Sequence, residues 1–515
     1  MIPKILHFTW KSEQLPRQMQ AYYDAWRRLH PDWEIRLWTD ETMRAFVAET
    51  YPAAIATYDA YPKMIQRADS FRYLVLGALG GVYADLDVEP FQSINGLLNY
   101  ECFLGIEPLE HIFPDRHHQG VPFLLTNAFM GSVPGHRLWQ DIIARMPDLV
   151  GLETFYSTGP SMVTAAVLRL DRKDRPTFLA PMVWSPQLAD GRRTRMDAEA
   201  VALLEPLGTV VPATAGSLVS HLWMTTWVPW HKRGNRFAPM LQVPTAIKWA
   251  WRRIVNPALA KVVISDPLQL YTNQTIVPTD ERPKVQVAVR LGKRDLSPAL
   301  SEALAALDYP EDRLAFSVHI SADANRGKVA ATLEQSGLRA EIISGDFASL
   351  AARDNAILDG FAPDRDYLLL VDGDVTAIPI DAIQRMLGAR LPVTAANVVD
   401  ETGAPGDDQL FRYEKGAPFK VLYKDGGRDG VVRRSKGFRA NLGQQKAFAL
   451  LPLDGVGESF VLIARAVVEA GVRFAETPYK LHLGAEAFGI MARDRGFEVG
   501  GLTELDVVRQ PPKRA

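Results

Sequence analysis

Two Asp-x-Asp pairs are the residues of this sequence best suited to chemistry, Asp85-Leu86-Asp87 and Asp372-Gly373-Asp374. Two carboxylates held so close repel each other unless a cation lies between them. Mn²⁺ and Mg²⁺ accept oxygen ligands and keep coordination positions free for a diphosphate. Such an ion would neutralise the charge that develops on a departing nucleoside diphosphate, with Asp87 and Asp374 as the candidate catalytic carboxylates.

Each pair follows a short apolar run that has the character of a buried strand. We predict strands over residues 82–88 and 367–371, the first preceded by a helix over 65–79 that ends at Gly80-Gly81. If a strand continues through a pair, alternation points both carboxylates to one side. At the carboxyl end of a strand, that side opens on the crevice where open α/β sheets bind ligands.

The same alternation of strands and helices fills both halves of the chain. In the first half we predict a helix over 18–29 between strands over 5–8 and 34–38. In the second half we predict helices over 298–307 and 347–358 and strands over 285–289, 314–320 and 340–343. Strands that alternate with helices indicate right-handed β-α-β units, and therefore a mostly parallel sheet in each half.

The composition is that of a soluble globular protein with two domains. At 515 residues the chain is too long for one compact core. Hydrophobic residues make up 47% of the sequence, and the formal net charge of −2 gives no electrostatic reason to expect a nucleic-acid partner. The single cysteine, Cys102, excludes an internal disulfide framework and a multi-cysteine zinc site, and it fits a reducing cytosol.

The sequence pattern predicts neither a secretory signal nor a membrane-spanning segment. No apolar run reaches the roughly 20 residues that span a bilayer, and the first ten residues lack the apolar region of a secretory signal. We therefore expect a cytoplasmic protein. A seam over 241–284 contains a basic amphipathic segment, residues 247–255. It is either a linker helix packed between domains or a helix on a membrane surface, and the second alternative gives peripheral contact with the inner membrane face.

The first half resembles the Asp-x-Asp region of family-32 glycosyltransferases, a family that includes Golgi α-1,6-mannosyltransferases. Residues 61–74 and 80–87 carry the resemblance. Further matching positions are spread over residues 1–235, namely residues 2–10, residues 31–38, Asn127, Gly159-Pro160, His221 and Trp227.

This resemblance implies a role for several residues in holding a nucleotide sugar. Trp10 would stack on the nucleotide base, Asp69 and Arg72 would hold the sugar and phosphates, and Asn127 is assigned to donor binding. Asp69 and Arg72 lie one helical turn apart, and a carboxylate suits sugar hydroxyls as a guanidinium suits phosphate. Without the resemblance, an exposed ion pair on a helix surface is the ordinary interpretation of these two residues.

The same resemblance implies a metal site at the first pair. Asp85 and Asp87 would bind the metal, and Asp85 would also contact the donor. His221 is the candidate third ligand, with a packed or capping histidine as the alternative. Trp227 would close over the donor, and a core tryptophan is the alternative there.

The second half resembles family-62 glycosyltransferases, the mannan-polymerase type of α-mannosyltransferase subunit. Matching residues lie within a region over 285–510, at 352–355, 366–375, 455–463 and 474–502. The resemblance implies that Arg353 and Asn355 contact donor phosphate and sugar. Asp372 and Asp374 would bind the metal, with Asp372 also at the donor, and Glu486 would be a catalytic group at the acceptor site.

Two departures from that family concern the metal and the acceptor. Where the family reads Glu-Thr-Glu-Gly, this chain has Gly484-Ala485-Glu486-Ala487. The histidine expected after the last strand is absent at Val508-Arg509. His482 is therefore the remaining candidate for a third metal ligand in the second half.

Together these observations predict two GT-A-like, Rossmann-like domains in tandem, over 1–240 and 285–515, joined by the linker over 241–284. The expected function is bifunctional, retaining transfer of hexose from a GDP- or UDP-sugar to a saccharide or lipid-linked glycan acceptor, with Mn²⁺ or Mg²⁺. Mannose is favoured by the family resemblance. Three alternatives stay open: one active domain beside a degenerate acceptor-binding domain, a nucleotidyltransferase, and a non-enzymatic glycan-binding protein.

Overall fold

The computed structural model describes residues 1–112, 123–189, 191–213, 216–224, 276, 278–321, 325–404, 420–423, 430–433, 442–480 and 482–510. The chain divides into two compact units, Met1–Val243 and Pro244–Ala515. The predicted basic helix over 247–255 lies outside the described residues. Within the described part, none of the helices has the length and apolar character needed to cross a bilayer.

The described part of the first unit alternates strands with helices. Its strands are β1 (Ile5–Thr9), β2 (Glu34–Trp38), β3 (Gly81–Ala84), β4 (Val88–Pro90), β5 (Cys102–Ile106), β6 (Leu125–Ser132), β7 (Thr177–Leu179), β8 (Val210–Val211) and β9 (Val219–His221). Its α-helices are α1 (Arg17–Leu29), α2 (Asp40–Thr50), α3 (Ile55–Ala60), α4 (Met64–Leu79), α5 (Leu109–Ile112), α6 (Arg137–Leu149), α7 (Thr154–Ser157), α8 (Pro160–Arg169), α9 (Pro181–Trp184) and α10 (Asp197–Leu204).

Seven of these strands form one sheet, in the order β2-β1-β3-β6-β5-β7-β8. β6 is antiparallel to both of its neighbours, and the other pairings are parallel. β4 and β9 pair separately as a two-stranded antiparallel sheet. Because β3 and β5 both run antiparallel to β6, they end at the same edge of the sheet. The residues that follow β3 and β5 are therefore brought together at this edge.

The first unit is built around large aromatic side chains. Phe8, Trp26, Phe129 and Trp184 are fully buried in its core. The Trp26 indole N–H donates to the Val88 carbonyl over 2.9 Å, so its burial leaves no unpaired polar group. Full burial of one such side chain contributes about 1.5–3 kcal/mol to the free energy of folding.

The described part of the second unit repeats the alternation. Its strands are β10 (Val285–Gly292), β11 (Leu314–Ile320), β12 (Ala340–Ser344), β13 (Tyr367–Asp372), β14 (Val375–Ala377), β15 (Val393–Val399), β16 (Lys420–Tyr423), β17 (Gly430–Arg433), β18 (Leu450–Pro452), β19 (Phe460–Ala464), β20 (Ala475–Tyr479), β21 (His482–Leu483) and β22 (Val499–Arg509). Its α-helices are α11 (Pro298–Ala305), α12 (Arg326–Ser336), α13 (Leu350–Asp359), α14 (Ala382–Gly388), α15 (Arg465–Glu469) and α16 (Gly484–Asp494).

The main sheet of the second unit has the order β12-β11-β10-β13-β19-β15-β22-β14, and β18 pairs with β22. β12, β11, β10 and β13 are parallel, whereas β19 is antiparallel to both β13 and β15. β15 and β22 are parallel, and β14 and β18 are antiparallel to β22. In both units the strand before the acidic pair has a parallel neighbour on one side and an antiparallel neighbour on the other.

Local signals explain where several helices begin. The Thr39 hydroxyl accepts from the backbone N–H of Thr42 at the start of α2, over 3.2 Å. The hydroxyl of Ser297 does the same for Leu300 in α11, over 3.1 Å. At the end of α4, Gly80 has a φ of +65°, which admits the turn into β3 at no steric cost.

The mixed α/β architecture is confirmed, and the predicted strands and helices are present with shifted ends. The predicted helix over 347–358 begins three residues later, at Leu350. The strand predicted over 82–88 was wrong beyond Ala84, because Asp85, Leu86 and Asp87 form a turn in which the N–H of Val88 bonds the Asp85 carbonyl. Strand alternation therefore does not align this pair. Asp372 ends β13, and Asp374 likewise lies in a turn.

Candidate functional site

Asp69 and Arg72 form a buried ion pair in the middle of α4. Nine residues of this helix are buried, so it runs through the interior of the first unit. Arg72 Nη2 lies 2.7 Å from Asp69 Oδ1, and the side chains are only 4% and 7% exposed. The interpretation of the two residues as a surface ion pair is therefore wrong.

A second layer of polar groups holds the Asp69 carboxylate in place. The Thr158 hydroxyl donates to Asp69 Oδ2 over 3.1 Å, and the Asn127 amide donates to Asp69 Oδ1 over 3.3 Å. The Asn127 amide also donates to the Tyr73 hydroxyl over 3.0 Å. The structure thus brings Asn127, which the resemblance assigned to donor binding, together with Asp69 and Arg72. Thr158 and Tyr73 were not identified from the sequence.

Arg72 also connects α4 to the first acidic pair. Its Nη1 lies 3.2 Å from Asp85 Oδ1 and donates to the Asn127 carbonyl over 2.6 Å. Its guanidinium carbon lies 4.5 Å from the centre of the Tyr83 ring, and the Tyr83 hydroxyl donates to Asp85 Oδ1 over 2.9 Å. Arg72 therefore bridges two carboxylates and fixes both at the edge of the sheet.

Asp85, Asp87 and His221 form a cluster that fits a divalent metal. One ligand atom from each of the three lies within 4.8 Å of the other two. His221 comes to this position because β9 pairs with β4, directly after the Asp-x-Asp turn. Its Nε2 lies 3.2 Å from Asp87 Oδ1, and the N–H of Met224 donates to Asp87 Oδ2 over 2.8 Å. Two carboxylates and one imidazole are a donor set that suits a divalent first-row metal ion.

The protonation of this cluster follows from burial and from the neighbouring charges. Burial raises the pKa of Asp85, and it raises the pKa of Asp69 to about 7 in spite of Arg72. Burial acts in the same sense on Asp87, but the charge and hydrogen bond of His221 lower the pKa of Asp87 below its usual value. In turn, Asp87 raises the pKa of His221 against the effect of burial. Asp87 is thus the carboxylate best held in its charged form.

Glu107 is a buried carboxylate at this edge that sequence reasoning missed. It follows β5 as Asp85 follows β3, and only 5% of it is exposed. Burial raises its pKa to about 7. The signal that could have found it is an acidic residue directly after a buried strand, the same signal that identified Asp85.

Of the two tryptophans assigned to donor binding, Trp10 and Trp227, only Trp10 is among the described residues. Trp10 follows β1 and is half-buried, and its backbone N–H donates to the Trp38 carbonyl over 2.9 Å. It directly follows the strand adjacent to β3, and its role in stacking stays a prediction. Trp227 lies outside the described residues.

In the second unit the acidic pair is met by arginines. Arg294 Nη1 lies 2.9 Å from Asp372 Oδ1 and 3.7 Å from Asp374 Oδ2. Arg509 Nε also lies 3.7 Å from Asp374 Oδ2. His482 does not join the pair: no metal-type cluster containing it is found among the described residues. Its hairpin, β20–β21, places it against the Lys480 carbonyl, 2.7 Å from its Nδ1.

Three residues of the second unit were assigned to the donor or the acceptor, namely Arg353, Asn355 and Glu486, and each has different neighbours. Arg353 is buried and pairs with Asp354 over 2.9 Å, next to the strand that carries Arg290. The Asn355 amide donates to the Phe474 carbonyl over 2.9 Å, which ties α13 to the segment before β20. Glu486 is half-buried in the first turn of α16. Contact of any of these residues with a donor or acceptor stays a prediction.

Comparison with known proteins agrees with this geometry in the first unit. Residues 16–104 match the family described as "Glycosyltransferase sugar-binding region containing DXD motif". The first unit therefore contains a segment similar to a glycosyltransferase sugar-binding region. The matched segment contains Asp69, Arg72, Asp85 and Asp87.

Curated relatives match about a third of the chain or less. The "Inositol phosphoceramide mannosyltransferase 3" of Schizosaccharomyces pombe is 36% identical over 165 residues, which is 31% of this chain and 43% of the relative. The "Mannosyl phosphorylinositol ceramide synthase SUR1" of Saccharomyces cerevisiae is 37% identical over 136 residues, 26% of this chain and 32% of the relative. The chain therefore spans less than half the length of these relatives.

A solved structure with a detectable likeness is a mannosyltransferase from Pyrobaculum calidifontis in complex with GDP-Man and Mn²⁺. It is 14% identical over 53% of this chain and 69% of its own, with a TM-score of 0.32. That likeness is too weak to carry an argument.

Proposed function

We propose that the chain is a metal-dependent hexosyltransferase that moves mannose from a nucleotide sugar to an acceptor. The observation that carries the proposal is the Asp85–Asp87–His221 cluster beside the buried Asp69–Arg72 pair. Mn²⁺ or Mg²⁺ bound there would neutralise the diphosphate as it leaves. The mannosyltransferase names of the curated relatives support mannose as the sugar, and GDP or UDP as the nucleotide is the accompanying proposal.

Each residue of the cluster has a defined task in this proposal. Asp85 and Asp87 supply two metal ligands, and His221 supplies the third. Arg72 holds Asp85 at 3.2 Å and fixes Asp69, whose carboxylate would accept hydrogen bonds from donor hydroxyls. Trp10 stacks on the base. Catalysis would come from positioning and electrostatic stabilisation, as in a front-face displacement that retains the anomeric configuration.

The acceptor we propose is a lipid-linked saccharide or a glycolipid headgroup. Two curated relatives are named inositol phosphoceramide mannosyltransferases, and these names support a lipid acceptor. The basic segment over 247–255 would bring the chain to the inner face of a membrane from a cytoplasmic location. Co-sedimentation with anionic vesicles tests this contact. Binding that is unchanged when Lys248, Arg252 and Arg253 are neutralised would exclude the segment as the contact.

A second candidate function is bifunctional transfer, in which the second unit also moves a hexose. It is favoured by the repeated arrangement around β3 and β13, each with a parallel neighbour on one side, an antiparallel neighbour on the other, and an acidic pair at its end. The family-62 resemblance of the second half supports the same proposal. Arg353, Asn355 and Glu486 would then contact donor and acceptor.

A donor screen tests both candidates. Each common nucleotide sugar is supplied with Mn²⁺, with and without chelator, and release of nucleoside diphosphate is followed for wild type, Asp87→Ala and Asp374→Ala. We expect release from one donor that is lost with chelator and in Asp87→Ala, and a second product lost in Asp374→Ala if both units transfer. Release of pyrophosphate would indicate a nucleotidyltransferase. Glycan binding without metal-dependent nucleotide-sugar binding would indicate a non-enzymatic protein.

A further inference from the structure

The two acidic pairs of the chain are neutralised by chemically different partners. The first is met by His221, whose imidazole nitrogen can bind a metal. The second is met by Arg294 and Arg509. A guanidinium stays charged at any accessible pH and has no lone pair to offer, so it competes with a metal for carboxylates and never joins it as a ligand.

Arg509 is held at the second pair by the backbone of the sheet. β14 pairs with β22 so that Val375 lies opposite Arg509, and the N–H of Gln510 donates to the Asp374 carbonyl over 2.9 Å. The Arg509 side chain is 16% exposed, and its Nη1 donates to the Ser459 hydroxyl over 2.8 Å. This cation is therefore part of the fold. The Arg294 side chain is 54% exposed and contacts the two carboxylates of the pair from the solvent side.

Two further arginines lie behind the pair. Arg290 is opposite Asp372 on the adjacent strand β10 and is 1% exposed. Its Nη1 donates to Asp354 over 2.9 Å, while its Nε and Nη2 have no hydrogen-bond partner among the residues that the structure describes. Arg353 pairs with the same Asp354. Asp354 is thus shared by two buried guanidinium groups, and the charges of Asp372 and Glu458 also act on Arg290. Two buried N–H groups of Arg290 still lack an acceptor and are available to an anion.

We propose that the second unit binds a nucleoside diphosphate on arginine side chains without a divalent cation, so that of the two acidic pairs only the first binds Mn²⁺. The identity of the ligand rests on the proposed function, whereas the number of metal sites does not. Arg294 and Arg509 take the place that a metal would occupy between the carboxylates and a diphosphate, and Arg290 supplies the buried donors behind it. The predicted metal site at Asp372, Asp374 and His482 is replaced by this arrangement.

The number of metal sites is measured on the full chain by titration with Mn²⁺ alone, with free Mn²⁺ read by electron paramagnetic resonance. We expect one bound ion per chain in wild type and in Asp374→Asn, and none in Asp87→Asn. The double variant Arg294→Gln/Arg509→Gln frees the second pair and should gain a second site, whereas the control Arg313→Gln, an exposed arginine paired with its neighbour Asp312, should not. Two sites in wild type, one of them lost in Asp374→Asn, would overturn the proposal, as would no gain in the double variant.

The ligand is tested with GDP and UDP in the presence of EDTA, on the Asp87→Asn chain. We expect about one equivalent of GDP or UDP to bind, and we expect its Kd to rise at least about tenfold when Arg294→Gln and Arg509→Gln are added, because two charged contacts are lost. Arg313→Gln should leave the Kd unchanged. No binding in EDTA, or binding that the double variant leaves intact, would refute the arginine site. Failure of the proposed function is read separately, as absence of Asp87-dependent diphosphate release by wild type with Mn²⁺.

Discussion

The buried bridge made by Arg72 predicts a large and non-additive loss of stability when it is broken. Arg72→Gln leaves Asp69 and Asp85 inside the first unit without the guanidinium that joins them at 2.7 and 3.2 Å. Removing one partner of a buried ion pair costs about 3–5 kcal/mol. Asp69→Asn keeps the shape of the side chain and leaves Arg72 with Asp85 and the Asn127 carbonyl, so we expect a smaller cost of about 2 kcal/mol.

The double variant Asp69→Asn/Arg72→Gln should cost less than the sum of the two single variants. Part of the penalty of Arg72→Gln is the uncompensated charge of Asp69, which the asparagine removes. We therefore expect a coupling free energy of about 2 kcal/mol between the two positions. Asp85 remains without Arg72 in the double variant, so the coupling does not cancel the whole penalty.

Urea unfolding followed by tryptophan fluorescence measures these costs in the full chain. All eleven tryptophans precede residue 252, so the signal reports on the first half of the sequence. The penalty should also depend on pH. An acid whose pKa is raised in the folded state loses its stabilising contribution as pH rises through that value, which is about 7 for Asp69. Without Arg72 the pKa of Asp69 rises further, so the cost of Arg72→Gln should grow as the pH rises above about 7.

Two results would refute this reasoning. A cost below about 1 kcal/mol for Arg72→Gln would mean that the guanidinium is not buried between the carboxylates. Additive costs of the two single variants would mean that Asp69 and Arg72 do not interact in solution.

Three further predictions concern the metal, the donor and the fold. The pKa of His221 is raised, and below that pKa a metal must displace the proton from its imidazole. The affinity for Mn²⁺ should therefore fall about tenfold per pH unit below that pKa in calorimetric titrations. His221→Gln should flatten this pH dependence. Trp10→Ala should raise the KM for the donor at least about tenfold in steady-state kinetics by removing a base-stacking platform, and Trp10→Phe should raise it less. Gly80→Ala should destabilise the first unit by at least about 2 kcal/mol in urea unfolding, because φ at Gly80 is +65° and the new Cβ would lie 2.7 Å from the Pro134 nitrogen. Gly96→Ala is the control, since a Cβ at Gly96 would have no atom within 4 Å.

Local pattern was enough to predict most strands and helices of both units. The helix before the first pair ended where Gly80 permits a positive φ, and Ser297 capped α11 as expected. The end of β3 could not be predicted from apolar pattern, because Val88 continues the alternation beyond the Asp-x-Asp turn. The boundary between β3 and β4 is visible only in their partners. The last bond of β3 to β6 runs from the Asp85 N–H to the Ala128 carbonyl, whereas Val88 in β4 pairs with His221 on β9.

The composition of the candidate site was less accessible to sequence reasoning than its position. The convergence of His221 on Asp87 was anticipated from the family resemblance, but the burial of Asp69 and Arg72 depends on α4 being covered on all sides. Arg294 and Arg509 lie 215 residues apart in the sequence. Arg509 reaches the second pair through the β14–β22 register, whereas Arg294 follows β10, the parallel neighbour of β13. Thr158 carries no spacing pattern of its own. Contacts of this kind are set by tertiary packing, which one sequence does not display.

The central claim is that one divalent cation is held by Asp85, Asp87 and His221. An anomalous difference map from a crystal of the full chain grown with Mn²⁺ and GDP tests it most directly. The account predicts one strong peak per chain, about 2.2 Å from oxygens of Asp85 and Asp87, with His221 adjacent. The absence of a peak at these residues, or a strong peak between Asp372 and Asp374, would contradict it.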